Sequence, residues 1–113
     1  MNKNTLTCLQ FIYLNAPSVG SYYYNSLAPS VYECVAHITD KFISPTSDKV
    51  ILKIKQIHWQ HEPPAAPKIS EFFVDAKAFQ NDGYDPAETE HIQRFEKAEI
   101  VELGKKRAWK KLK

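Results

Sequence analysis

The sequence predicts one α+β domain over residues 1–104, with elements in the order strand, helix, strand, strand, helix, strand, followed by a basic tail over residues 105–113. Three observations predict it. A charged fraction of 25 % beside 43 % apolar residues is the balance of a folded, soluble chain and not of a disordered or collagen-like one. At 113 residues there is room for a single core, which buries about 60–70 % of the surface that the unfolded chain exposes. The turn-forming clusters "NAPSVG", "SPTSD" and "EPPAAP" divide the chain into segments whose apolar spacing is strand-like in some and helix-like in others.

Residues 5–14, "TLTCLQFIYL", are β-branched, aromatic and apolar, and read as the first strand, closed by "NAPSVG". The tyrosine-rich "SYYYNSLAPS" is broken by Ser, Asn and Pro and reads as irregular. In "PSVYECVAHITDKFI", Ser30 and Glu33 stand in capping-box spacing, and Val31, Cys34, Val35, Ile38 and Phe42 recur at helical intervals, which predicts the first helix. "SPTSD" (44–48) ends it. Over 49–61, Val50, Leu52 and Ile54 alternate with Ile51, Lys53 and Lys55 as in a strand. The apolar parity then passes to Ile57 and Trp59, and a β-bulge at Lys55 and Gln56 would keep both on the core side.

"EPPAAP" lacks the N–H groups that a ladder needs and is expected to be a hairpin loop. "KISEFFVDAKAF" (68–79) reads as a strand to Asp75 with a helical turn after it, although Ile69, Phe72, Phe73, Ala76 and Phe79 also fit a helix. Asp85, Pro86 and Glu88 have the spacing of an N-cap, a first-turn proline and a capping partner, so the second helix is placed from Pro86. It has Ile92 and Phe95 inward and Glu90 with Arg94 as an exposed pair four residues apart. "EIVEL" (99–103) alternates and closes the order as a strand, with continuation of the helix as its rival.

This order is that of the ferredoxin-like split βαβ arrangement, a four-stranded antiparallel sheet with both helices on one face. Parity then sets Leu6, Cys8, Ile12 and Leu14 toward the helices and Leu9, Phe11 and Tyr13 away from them, joined by Ile51, Lys53, Lys55 and Phe73. Aromatics interleaved with lysines can stack bases and meet phosphates, as on a single-strand binding platform. "FIYLN" and "EFFVD" resemble the two short motifs of the RNA-recognition motif, which uses this fold. The basic and glycine positions of its longer motif are missing around Glu71 and Phe72, and the connection after the first strand is 15 residues, so the family's site is not transferred. The rival occupants of such a face are the tyrosine-rich loop and a second subunit, the latter giving a homodimer.

The charge is split. Residues 1–104 hold nine Lys and Arg against thirteen Asp and Glu, while the last nine residues hold six cations. Lys105, Lys106, Arg107, Lys110 and Lys111 surround Trp109, and Trp109 with Leu112 could share a helix face. Such a tail suits phosphates, or an acidic protein surface with Trp109 as the anchor. A purely electrostatic tail has no need of the tryptophan, which favours docking.

Several chemistries are set aside. Three glycines, at 20, 83 and 104, exclude glycine-rich phosphate loops and argue against a nucleotide cofactor. His58 and His61 are three apart on a strand and point to opposite faces, with no third ligand, so no metal is expected. Cys8 and Cys34 read as buried free thiols. No stretch has the length of a spanning helix or the pattern of a signal peptide, which places the expected protein in the cytoplasm, away from membranes. The expected function is that of a non-catalytic binding protein, an inhibitor or adaptor of phage or bacterial type. It would engage a nucleic-acid-handling protein, or nucleic acid, through Phe11, Tyr13, Lys53, Lys55, Phe73 and the tail. The alternative is a small enzyme acting on a nucleotide or RNA with His58, His61 or His91 as proton carriers.

Overall fold

The computed structural model describes residues 2–25, 32–60 and 67–111, with 105–111 described by their backbone path alone. The elements run α1 (Lys3–Asn15), β1 (Tyr22–Asn25), β2 (Tyr32–Ser44), β3 (Lys49–Gln60), β4 (Lys68–Asp75), α2 (Ala76–Asn81), β5 (Tyr84–Pro86) and α3 (Thr89–Lys111). The strands form one sheet in the order β4-β3-β2-β1-β5, and every neighbouring pair is antiparallel. The α+β class therefore holds. The four-stranded βαββαβ sheet with two helices on one face does not: the described residues form five strands and three helices, and helices cover both faces.

The opening segment is helical. Asn2 caps α1, its side chain accepting from the Thr5 N–H at 2.7 Å. Leu9 and Ile12, with Ala16 at the C-cap, form a narrow apolar stripe that packs on the sheet. Pro17 follows the cap and stops the helix. Lys41 of β2 ties the helix end down, donating from Nζ to the Tyr13 carbonyl at 2.9 Å. The β-rich composition of residues 5–14 was outweighed by this packing.

The expected first helix is a strand. In β2, Cys34, Ala36 and Ile38 point to the face that α1 and α2 cover, while Val35 and His37 point to the face that α3 covers. Because both faces are apolar, the alternation is masked and the run mimics a helix. Ser30 of the expected capping box and Val31 of the expected apolar face lie outside the described residues. The tyrosine run, read as irregular, forms β1 and pairs with β2 through Tyr22, Tyr23 and Tyr24.

In β3 the strand assignment holds, yet the bulge does not fall there. The register shift lies in β2, between Ile38 and Asp40, and β3 runs without a break in parity. Ile57 and Trp59 are apolar because they meet α3 on the second face, where Val35, Ile57, Phe95 and Ala98 form a core of their own. The expected loop 62–67 lies almost wholly outside the described residues. After it, β4 and the helical turn α2 stand where the sequence placed them, with Asp75 capping α2 by accepting from the Lys77 N–H at 2.8 Å.

The last helix starts three residues later than expected. Asp85 and Pro86 are extended in β5, with Pro86 opposite Tyr23, and an edge strand tolerates the missing N–H. Residues 99–103 continue the helix instead of forming a strand, because "EKAEIVELGKK" is rich in strong helix formers and runs acid-first and base-last, the order that the helix dipole favours.

Candidate interaction surface

Phe11 and Tyr13, expected on the helix-free face with the lysines, belong to α1, on the side of the sheet opposite to Lys53 and Lys55. Phe11 is 69 % exposed, whereas Tyr13 packs against the core under the Lys41 ammonium, 4.4 Å from its ring centre. The aromatic platform as drawn from parity is thereby taken apart.

Lys53, Lys55 and Phe73 do share a sheet face, the one that α3 covers in part. Their charges are already answered. Lys55 is bonded to Glu99 of α3, and Lys53 lies 3.8 Å from Glu71 and 5.9 Å from the Phe73 ring centre. Phe73, 61 % exposed, meets Phe42 edge-on at 6.0 Å. Phe42 was counted to a helix core in the sequence, and only the strand parity of β2 reveals it as the second aromatic here. A phosphate approaching these two lysines would have to displace a carboxylate from each.

The basic run at the end of the sequence belongs to α3. Its helical backbone continues through Lys111 and carries Lys105, Lys106, Arg107, Trp109, Lys110 and Lys111, so the tail is part of a 23-residue helix. The side chains from 105 onward lie outside the described residues. The first half of α3 is anchored: Phe95 is fully buried, Ala98 nearly so, and Arg94 donates to the Glu33 carboxylate on β2. Beyond Glu99 the apolar side chains turn outward, and Ile100, Val101 and Leu103 are exposed immediately before the basic run. Nine residues separate Glu102, beside the sheet, from Lys111, a path of about 14 Å along a helix. The sequence hid this cluster because "EIVEL" read as a strand.

The histidines do not converge. His37 stacks on Tyr22 at 4.2 Å beneath Phe95, and His91 stacks on Tyr24 at 4.1 Å while its Nδ1 accepts from the Glu88 N–H. His58 stacks on Tyr32 on the other face of the sheet, and His61 lies outside the described residues. Burial holds the His37 imidazole below its ordinary 6.5. Among the described residues, no group of three or more His, Cys, Asp and Glu is arranged to hold a metal ion.

The cysteines part company. Cys8 is exposed on α1, contrary to expectation, and Cys34 is buried. Gln56 Nε2 donates to Cys34 Sγ at 2.7 Å and to the Tyr84 hydroxyl at 2.8 Å. Burial pushes the Cys34 thiol up and the Tyr84 phenol up to about 12, so both stay protonated at neutral pH, which makes this a structural cluster and not a nucleophile. No helix of the described residues is long and apolar enough to cross a membrane. No protein-family model, no curated protein and no solved structure matches this chain.

Proposed function

We propose that the protein is a non-catalytic binding protein that docks the C-terminal half of α3 on an acidic surface of a protein that handles nucleic acid, and acts by occupying that site. The observation that supports this is the continuity of α3 from the buried Phe95, past exposed Ile100, Val101 and Leu103, into the basic run that ends at Lys111. Cations at the rim of a contact steer association, and apolar side chains at its centre hold it. Phosphates alone have no use for three exposed apolar residues, which favours a protein partner over bare nucleic acid.

Truncation after Gly104 tests the reading. The shortened chain keeps Phe95, Ala98 and Arg94 and is expected to fold, while capture of a partner from cell lysate by the full chain is expected to survive nuclease treatment and to vanish on truncation. Direct binding to duplex DNA with a salt slope of about −5 would move the reading to nucleic acid. Nuclease-resistant capture that is unchanged by truncation would overturn it.

A further inference from the structure

The two edges of the sheet are built differently. At one end β5 is three residues long and contains Pro86, so little of that edge can receive another strand. At the other end β4 is eight residues long, contains neither Pro nor Gly, and pairs with β3 in unbroken register from Lys68 to Asp75. Among the described residues nothing pairs with its outer side. None of its residues is buried. An antiparallel strand directs alternate N–H and C=O groups outward, so β4 presents a row of backbone donors and acceptors.

Natural edges are commonly defended by charges, and the two carboxylates of β4 are engaged by lysines of β3. Glu71 pairs with Lys53 at 3.8 Å and Asp75 with Lys49 at 3.7 Å, both across β3, and Asp75 is also occupied as the cap of α2. We infer that the outer edge of β4 is a binding site for an extended peptide segment, which adds to the sheet as a sixth strand.

The α3-side face of the edge says what that segment carries. Ile69, Glu71 and Phe73 follow one another there, and beside them a cavity of about 240 Å³ is lined by Glu71, Glu99 and Glu102 with Lys55 as the one cation among the described residues, already bonded to Glu99. Side chains opposite one another on paired strands share a face. The occupant is therefore a strand of a different protein whose residues on this face run apolar, basic, apolar. A second copy of β4 does not supply the pattern. Its only cation, Lys68, lies on the face opposite to Glu71, and antiparallel pairing cannot bring the two together.

The probe is the peptide acetyl-Thr-Val-Thr-Lys-Thr-Val-Thr-amide, whose Val, Lys and Val share one face in either orientation. Amide hydrogen exchange is followed by NMR on the full chain, with sedimentation to record its mass. The expected result is a monomer in which alternate amides of Lys68–Asp75 exchange fast and are slowed at least about tenfold by millimolar peptide. The fully N-methylated peptide should have no effect. Replacing the peptide's lysine by glutamate should weaken binding at least about tenfold, and Glu71→Lys in the protein should restore it. Absence of slowing, equal slowing by the N-methylated peptide, or β4 amides already protected in a self-associated chain would each overturn the inference. Truncation after Gly104 leaves β4 intact, so this result and the α3 result are independent.

Discussion

Arg94 on α3 donates from its guanidinium to the Glu33 carboxylate on β2, joining residues 61 apart in the chain. The Glu33 side chain is 8 % exposed and that of Arg94 is 44 % exposed, so the pair brings a cation in from the rim to a carboxylate already taken out of water. Removing the cation leaves the desolvation of Glu33 less well compensated.

Arg94→Met, which keeps an apolar stem and deletes the charge, is expected to cost about 1–3 kcal/mol in urea unfolding. Glu33→Gln, which removes the buried charge along with the need for its partner, is expected to cost less. An Arg94→Met loss below about 0.5 kcal/mol would place the pair among exposed bridges of little worth.

The second core can be separated from the exposed end of the same helix. Phe95→Ala empties a fully buried site between Tyr22 and His37 and is expected to cost about 3–5 kcal/mol. Ile100→Ser, on the outward side, should change stability by less than about 0.5 kcal/mol while weakening partner capture about tenfold. Thermal melts and pull-down yields measure the two effects side by side.

Stability should fall on mild acidification because of His37. Burial lowers its folded pKa, Lys55 adds to the effect, and Glu99 and Glu96 oppose it; Tyr22 and Phe95 enclose the ring. The folded state thus holds the neutral imidazole, whereas the unfolded chain takes up a proton below 6.5. The contribution is complete above that pH and is lost as the pH drops through the depressed folded value. His37→Phe is expected to flatten the stability profile just below 6.5, and urea midpoints between about pH 7 and 5 measure it. An unchanged slope in the variant would assign the acid loss to carboxylates.

Gly104 sits inside α3 at the change from acidic to basic sequence, and a methyl group there would meet nothing within 4 Å. Gly104→Ala is expected to raise stability or helicity by about 0.5–1 kcal/mol. Partner capture should be retained, since the proposed surface works as a helix. Gly104→Pro should break the helix at that point and abolish capture with the sheet intact. Circular dichroism with pull-down distinguishes these outcomes.

The elements whose one-dimensional pattern matches their surroundings were legible from the residues themselves. The alternation of Val50, Leu52 and Ile54, the strand Lys68–Asp75 with its Asp75-capped turn, and the charge reversal at Gly104 are local facts, and the folded chain keeps them. The charged end suggested the proposed docking surface from the residues alone, whereas the exposure of Ile100, Val101 and Leu103 beside it is seen only in the folded chain.

The remaining assignments belonged to the tertiary structure. Residues 3–15 hold β-prone side chains at helical spacing, and residues 32–44 hold apolar side chains on both faces of a strand, so each reads as the other. Propensities of this kind differ by about 1 kcal/mol per residue at most. Burying Leu9 and Ala16 against Ile38 and Leu52, and Phe95 against Val35 and Ile57, outweighs them, and those contacts exist only once β2 lies in the middle of a sheet covered on both sides.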